Sequence, residues 1–350
     1  MPVSDYQMVK AWDEVLKLSK VERGQKVTIL CGPHTHPQTL QTATIAAQAA
    51  GAVVTRIELQ PINAEKAPSR DLMNYLGETP LTNNPVALAA MKNSDLVLDL
   101  MLLLFSPEQM EILESGTKIL LAVEPPEVLV RAVPTEADRQ RVLDASKLLK
   151  AARKMHVTSP AGTDVTFQLG EFPTISEYGF CEEPGRWDHW PSGFLFTFAN
   201  EGGSDGTIVI DRGDILLPQK NYVSDRIALN LREGFVRSIE GDIDAALLRE
   251  FMEAYMDPEA YAMSHIGWGM QDRARWSTLG LYDREATIGM DARAFAGNFL
   301  FSLGPNNEAG GSRTTACHMD IPLRRCTVTV DGKEVVVAGK VVEEAMAVLA

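Results

Sequence analysis

The fold is decided by residues 95–124, DLVLDLMLLLFSPEQMEILESGTKILLAVE. Two short apolar runs, DLVLDLMLLL and KILLAVE, flank the segment SPEQMEILESG, in which apolar residues recur at helical spacing. Strands that are apolar on both faces are typical of a parallel sheet covered by helices on each side. This stretch therefore predicts a strand–helix–strand unit of an α/β fold.

The same alternation extends towards the N-terminus. The segments QMVKAWDEVLKLSK, PQTLQTATIAAQAAGA and NPVALAAMKNS have helical spacing, and the runs KVTILCGP and VVTRIEL between them are rich in β-forming residues. A long amphipathic helix, PTEADRQRVLDASKLLKAARKM, follows the last apolar strand. We therefore predict that residues 1–154 form an α/β domain with a mainly parallel sheet.

The pattern changes from about residue 155 onward. The strands become shorter and alternate between apolar and polar residues, and turn residues become more frequent. Asp331 and Gly332 form a dipeptide that is typical of a tight β-hairpin. We predict that residues 155–350 form an α+β domain with antiparallel strands, and that this domain carries a metal site.

Composition excludes several classes of function. A net charge of −14 disfavours nucleic acid and anionic membranes as partners. The longest apolar run is interrupted by Asp99 and is too short to cross a bilayer. The chain has no G-x-G-x-x-G or P-loop motif. Its scattered cysteines fit reduced thiols, which indicates a cytoplasmic protein; they are Cys31, Cys181, Cys317 and Cys326.

The segment TACHMDIPL, residues 315–323, contains a candidate pair of metal ligands. Residues i and i+2 of a strand project from the same face, so His318 and Asp320 are expected to point into one space. Such a pair can clamp a metal ion, or it can form a hydrogen bond that only fixes a loop. A third ligand would favour the metal.

His265 supplies a possible third ligand. It stands in AMSHIGWGM, which we interpret as a loop between a helix and a Gly-Trp-Gly turn. His265, His318 and Asp320 together make a set of two histidines and one carboxylate. That set suits Fe(II) with three open positions for substrate and O₂, and it also suits Zn²⁺ with an activated water. Ligand type alone does not separate the two metals.

Two further stretches are candidates for a pocket. SEYGFCEEPGRWDHWPSGF, residues 176–194, is predicted to be a loop in which tryptophans flank His189. It would suit a flat polar ring, with His189 as acid or base, or it is an ordinary ordered loop. Ser302 in LFSLGPN is either a pocket residue or a buried serine that satisfies the backbone.

Several blocks of the chain resemble a known family. They are LLAVEPPEVL, EPGRWDHWPSGFLF, SHIGWG, MDARAFAGNFLFSLGPN and CHMDIPLR. They closely resemble the bacterial 2,5-dihydroxypyridine 5,6-dioxygenases of nicotinate degradation, along essentially the whole chain. The resemblance places the iron ligands of the family on His265, His318 and Asp320. It implies an Fe(II) enzyme that uses O₂ to open 2,5-dihydroxypyridine between C5 and C6, giving N-formylmaleamate.

The chain departs from the family at one position. The family carries a histidine at the start of the SPEQ helix, near the iron, where this chain has Phe105. Phe105 cannot move protons. Either His189 or water takes that role, or the substrate is a related hydroxylated N-heterocycle, or the residue was substituted deliberately and the enzyme is slow. Leu104 and Phe105 are expected to line the pocket at the carboxyl end of their strand.

The sequence around Phe105 predicts a well-capped helix. Ser106 is a favourable N-cap, Pro107 a favourable first residue, and Gln109 completes a capping box. Phe105 and Met110 then occupy the positions of a hydrophobic staple. Phe105 is therefore expected to be compatible with a stable start of this helix.

The family is distantly related to the M29 metallo-aminopeptidases, which supply the alternative function. Those enzymes use two metal ions and need bridging carboxylates. Glu177 is the candidate for one such glutamate; otherwise it orients the substrate or His189. A non-catalytic binding protein is a third hypothesis. The resemblance also implies a homo-oligomer such as a hexamer.

Overall fold

The computed structural model describes residues 2–60, 79–82, 84–102, 106–217 and 219–342. Leu104 and Phe105 lie outside these described residues. The pocket wall predicted from both residues, and the hydrophobic staple predicted from Phe105, therefore stay predictions. No helix within the described ranges is long and apolar enough to cross a membrane.

Most of the α-helices in the described ranges precede residue 152. In chain order, the α-helices are α1 (Asp5–Leu18), α2 (Pro37–Ala49), α3 (Pro85–Lys92), α4 (Pro107–Glu114), α5 (Pro126–Arg131), α6 (Glu136–Ala151), α7 (Ile243–Glu253) and α8 (Met290–Ala294). Short 3-10 helices cover Pro258–Tyr261, Trp276–Gly280, Arg284–Ala286 and Asn307–Ala309.

The strands alternate with helices in the first part of the chain and follow one another in the second. The early strands are β1 (Lys26–Cys31), β2 (Val53–Glu58), β3 (Leu96–Asp99), β4 (Lys118–Leu121), β5 (Lys154–Thr158), β6 (Asp164–Gln168), β7 (Ile175–Glu177), β8 (Trp187–His189), β9 (Phe194–Phe198) and β10 (Ser204–Ile210). The later strands are β11 (Ile215–Leu216), β12 (Asn221–Tyr222), β13 (Ile227–Arg232), β14 (Phe235–Gly241), β15 (Met263–Gly269), β16 (Phe299–Leu303), β17 (Met319–Leu323), β18 (Thr327–Val330), β19 (Lys333–Val337) and β20 (Lys340–Val341).

A five-stranded parallel sheet has the order β2-β1-β3-β4-β8. Alternate residues of its strands enter two separate cores. Val27 and Ile29 pack with residues of α1 and α2 on one face. Leu30 and Val97 pack with Met91 of α3 and with α4 on the other. The predicted parallel sheet covered on both faces is confirmed.

The segment 176–194 is not the continuous loop that we predicted. Trp187–His189 form β8, which pairs in parallel with β4 through Ile119↔Trp187. The strand satisfies backbone groups of β4 that would otherwise form an open sheet edge. It has only three residues, so it carries no apolar run that sequence reasoning could recognise.

The start of α4 agrees with the N-cap and the first helical residue predicted for it, while the reciprocal bond from the Gln109 side chain that a capping box needs stays a prediction. Ser106 is the N-cap residue, and its hydroxyl accepts a hydrogen bond from the backbone N–H of Gln109 at 3.0 Å. Pro107 occupies the first helical position, where a missing N–H is harmless.

The remaining strands build mainly antiparallel sheets, as predicted. One sheet has the order β14-β13-β10-β6-β5-β18-β19-β20, and a second has the order β17-β16-β15-β9-β7. β11 and β12 form a two-stranded ribbon. Asp331 and Gly332 connect β18 to β19 with φ angles of 46° and 84°. Two consecutive positive φ angles are typical of the tight hairpin turn expected there.

The chain divides into two compact units. Unit 1 comprises residues 1–139, 177–192 and 282–291, and unit 2 comprises residues 140–176, 193–281 and 292–350. The predicted ranges 1–154 and 155–350 are consecutive, whereas these units are not. Three segments differ: 140–154 belongs to unit 2, while 177–192 and 282–291 belong to unit 1. The segment 177–192 supplies β8 to the parallel sheet.

Candidate metal centre

Two strands of unit 2, and the residue that precedes one of them, supply the three candidate ligands. His265 lies in β15, Asp320 lies in β17, and β16 runs between these two strands. His318 immediately precedes β17. All three residues are buried, with at most 5% of their surface exposed. The sheet therefore brings together residues that are more than fifty positions apart in sequence.

His265 lies within a strand, so our interpretation of AMSHIGWGM as a loop was wrong. Its two glycines permit close strand packing and do not form a turn. A Cβ on Gly267 would lie 1.9 Å from the Leu195 carbonyl oxygen, and a Cβ on Gly269 would lie 2.3 Å from the Phe295 carbonyl oxygen. Glycine is required where another backbone approaches this closely.

A β-bulge places His265 opposite Ser302. The pairing of β15 with β16 shifts register between Met263 and Ile266, and Ser302 is paired directly with Asp320 on the other side. The Ser302 hydroxyl accepts a hydrogen bond from the His265 N–H at 2.9 Å and donates one to the His265 carbonyl at 3.3 Å. Ser302 thus satisfies the backbone of a candidate ligand, and its role as a pocket residue stays a prediction.

The three side chains converge on one oxygen atom. Asp320 Oδ1 lies 3.0 Å from His265 Nε2 and 3.1 Å from His318 Nε2. Separations of this size occur both between hydrogen-bonded atoms and between ligands of one ion. The assignment of a metal therefore rests on the types of side chain that converge and not on the distances. Two imidazoles and one carboxylate match the facial set of non-haem Fe(II) sites. Within the described residues, this trio is the one cluster of at least three His, Cys, Asp or Glu side chains able to hold a metal.

The protonation states suit metal binding. Burial lowers the pKa of His265, so the imidazole is neutral, which is the form that binds metals. Burial alone would raise the pKa of Asp320, but Arg293 and His318 hold it well below its usual range. His265 Nδ1 is buried without a hydrogen-bond partner in the described part of the chain. A neutral, partly unsatisfied imidazole beside an ionised carboxylate fits a cation.

Arg293 is the cation that faces Asp320 directly. Its Nε donates to Asp320 Oδ2 at 2.5 Å, and its side chain is 4% exposed. Sequence reasoning did not select Arg293, although it lies in the block MDARAFAGNFLFSLGPN. One chemical argument could have pointed to an arginine. A buried carboxylate that binds a metal through one oxygen needs a hydrogen-bond donor for its second oxygen.

Aromatic side chains of β9 surround His265. Phe198 is paired with His265 across the strands, and their ring centroids lie 6.0 Å apart. The Phe196 ring lies closer, at 4.6 Å from the His265 ring. These contacts restrict rotation of the imidazole and give this face of the centre an apolar wall.

His189 and Glu177 form a separate buried pair in unit 1. His189 Nε2 and Glu177 Oε2 share a short hydrogen bond, and His189 Nδ1 donates to the Pro191 carbonyl at 2.6 Å. Burial raises the pKa of Glu177. Burial alone would lower the pKa of His189, but the Glu177 carboxylate more than offsets this and raises it. Both shifts favour a bound proton on this pair.

Asp188 fixes the backbone around this pair. Its carboxylate accepts hydrogen bonds from the backbone N–H groups of Tyr178, Gly179 and His189. Arg186 completes the set with a 2.6 Å ion pair. A fully buried carboxylate with four donors holds the chain on both sides of the His189–Glu177 pair.

The chain matches a described family over most of its length. The family model of NicX, 2,5-dihydroxypyridine 5,6-dioxygenase, matches residues 7–343. The 2,5-dihydroxypyridine 5,6-dioxygenase of Pseudomonas putida KT2440 is 53% identical over 342 residues, which is 98% of this chain and 98% of that protein.

Solved structures give the same picture of the fold. The structure of 2,5-dihydroxypyridine dioxygenase from Pseudomonas putida KT2440 superposes with a TM-score of 0.94 at 53% identity, covering 97% of this chain and 98% of that one. Wild-type AmpT from Thermus thermophilus superposes with a TM-score of 0.64 at 16% identity, covering 96% and 99%. The likeness to AmpT concerns the fold alone.

Proposed function

Because the chain belongs to the 2,5-dihydroxypyridine 5,6-dioxygenase family, we propose that it opens 2,5-dihydroxypyridine between C5 and C6 with O₂. The product would be N-formylmaleamate, which contains both atoms of the O₂ consumed. The observation that carries the proposal is the convergence of His265, His318 and Asp320 in one buried sheet.

We propose Fe(II) as the metal that these three residues hold. The donor set is the one expected for an iron site with open positions for two further reactants. Fe(II) bound there would bring the ring and O₂ side by side and allow electron density to pass from the ring to oxygen. The protein supplies a neutral His265, an ionised Asp320 and the apolar side chains of Phe196 and Phe198.

We propose Glu177 as the group that exchanges a proton with the substrate hydroxyl. His189 has both ring nitrogens engaged, one with Glu177 and one with the Pro191 carbonyl. Glu177 Oε2 faces His189, which leaves Oε1 to exchange the proton, while His189 positions the carboxylate and stabilises its charge. This assignment also accommodates Phe105, which has no titratable group.

A two-metal aminopeptidase is supported less well. A bridged pair of ions needs carboxylates beyond Asp320. Glu177, the candidate for such a carboxylate, is hydrogen-bonded to His189 instead. A single-metal dioxygenase therefore accounts better for the residues that are present.

The proposed setting is the cytoplasm. All four cysteines are buried and free. Free thiols persist in a reducing compartment, where a catabolic enzyme for a small aromatic molecule would also meet its substrate.

The reaction is tested by the fate of the oxygen atoms. The protein would be loaded anaerobically with Fe(II), mixed with 2,5-dihydroxypyridine and exposed to ¹⁸O₂. We expect N-formylmaleamate carrying two ¹⁸O atoms in its mass spectrum. A product with one ¹⁸O atom, or an unconverted ring, would contradict the proposal.

A further inference from the structure

We propose that Arg293 is a positioning residue for the metal centre, and that its Nε keeps Asp320 a ligand through one oxygen only. The inference rests on the proposed function, because it concerns the ion that His265, His318 and Asp320 would hold. It adds a residue that acts on the metal through a ligand.

The two oxygens of Asp320 have different partners. Oδ1 faces the two imidazoles at 3.0 and 3.1 Å, and Oδ2 accepts from Arg293 Nε at 2.5 Å. A charge-assisted hydrogen bond of this length is strong, because both partners are ionised and buried. Oδ2 is therefore turned away from the space where the ligand atoms meet.

The position of Arg293 is itself fixed from the strand that carries His265. The Asn298 side chain, which is fully buried, donates to the Arg293 carbonyl at 2.8 Å. The same side chain accepts from the N–H of Gly269, the last residue of β15, at 2.7 Å. Asn298 therefore connects β15 to the arginine that holds the carboxylate of β17.

The number of open positions on the metal depends on this arrangement. A six-coordinate ion with two histidines and one carboxylate oxygen keeps about three positions for other ligands. If Oδ2 also bound the ion, about two would remain. Ring opening with O₂ needs positions for both the substrate and oxygen, so a second carboxylate oxygen on the ion would leave no position for water or for a second donor atom of the substrate.

Two substitutions at this position separate the hydrogen bond from the rest of the side chain. Arg293→Gln places an amide nitrogen at the same number of bonds from Cα as the arginine Nε, and it removes the charge. Arg293→Met places a methyl group at that atom and removes the donor. Arg293→Leu gives a second apolar variant in case the methionine variant does not fold, which far-UV circular dichroism would show.

The readout is water bound to Mn(II), which accepts the same donor types as Fe(II) and relaxes the protons of exchanging water. We expect the proton relaxation per bound Mn(II) to fall by about one third in Arg293→Met, from about three waters to about two. The proton relaxation per bound Mn(II) in Arg293→Gln is expected to equal that of the parent, because the amide nitrogen can still donate to Oδ2. Arg324→Met is the matched control, because Arg324 Nε contacts the buried Asp214 of the same unit at 3.3 Å.

Relaxation unchanged in Arg293→Met would overturn the inference, and so would Arg293→Gln behaving like Arg293→Met. An equal fall in Arg324→Met would also overturn it, because the effect would then be a general disturbance of unit 2. If the parent bound no metal, the proposed function itself would fail. If the parent and Arg293→Met both bound Mn(II) with about three waters, the inference about Arg293 would fail. The proposed function would still stand, because the metal site would be intact.

Discussion

Asp320 connects the other two candidate ligands to Arg293, because one of its oxygens faces both imidazoles and the other accepts from the guanidinium. His318 and Asp320 were identified from a two-residue spacing, and the structure brings both to His265. Arg293 was not identified, because nothing in the local sequence shows which carboxylate a distant arginine will meet. The catalytic role of His189 stays a prediction, and only the fold shows that both of its ring nitrogens are engaged.

Replacing a ligand should remove the metal and leave the fold. We expect His265→Ala to lower Fe(II) or Mn(II) affinity by at least about 100-fold, because only two of the three protein ligands would remain. Metal content after dialysis and the melting temperature of the apoprotein would be measured together. His36→Ala is the control, since His36 is exposed. Full occupancy in His265→Ala would disprove the ligand assignment.

Replacing Glu177 should affect turnover and not metal uptake. Glu177→Gln keeps a hydrogen-bonding partner for His189 but cannot accept the substrate proton. We expect kcat to fall by about 10²- to 10⁴-fold with KM little changed. Steady-state oxygen consumption at several pH values would give both constants. Equal kcat in variant and parent would show that another group, or water, moves the proton.

At the scale of elements, apolar patterning predicted long strands and helices but not short or interrupted ones. The parallel strands were recognised because they are continuous apolar runs. β8 has three residues, and β15 contains two glycines that resemble a turn in sequence. The need for those glycines comes from neighbouring strands, so it could be seen only in the structure.

The strand that carries His265 should not tolerate a side chain at Gly267. Gly267→Ala would place a Cβ 1.9 Å from the Leu195 carbonyl oxygen, so β9 and β15 would have to separate. We expect a loss of about 3 kcal/mol or more in the free energy of unfolding, measured by urea denaturation.

Gly280→Ala is the matched control for that measurement. The nearest atom to its Cβ would be Tyr222 Cε2 at 3.7 Å, an ordinary contact, so a change within about 0.5 kcal/mol is expected. If the two alanine variants were equally stable, the close approach of β9 to β15 would be disproved.

At the scale of the whole molecule, the classes of sheet followed from the sequence but the division of the chain did not. The return of 177–192 to unit 1 depends on a pairing between strands that are far apart in sequence. Local periodicity contains no information about such a pairing. Composition did predict free thiols, and all four cysteines are buried and unbridged.

The folded protein should therefore resist thiol reagents. Burial raises the pKa of Cys317 to about 12, so its thiol is neutral at pH 8 and becomes a thiolate only at far higher pH. Burial raises the pKa of Cys181 and Cys326 as well. At pH 8 we expect slow reaction with Ellman's reagent in buffer, and rapid reaction of four thiols in urea. Rapid labelling of Cys317 in the folded protein would contradict its burial.

His265, His318 and Asp320 are proposed to hold an iron ion that makes O₂ react with 2,5-dihydroxypyridine. The most direct test is an oxygen electrode. Apoprotein loaded with Fe(II) should consume one O₂ for each 2,5-dihydroxypyridine added, and the same protein loaded with Zn²⁺ should consume none. No consumption with iron, or equal consumption with both metals, would contradict the account.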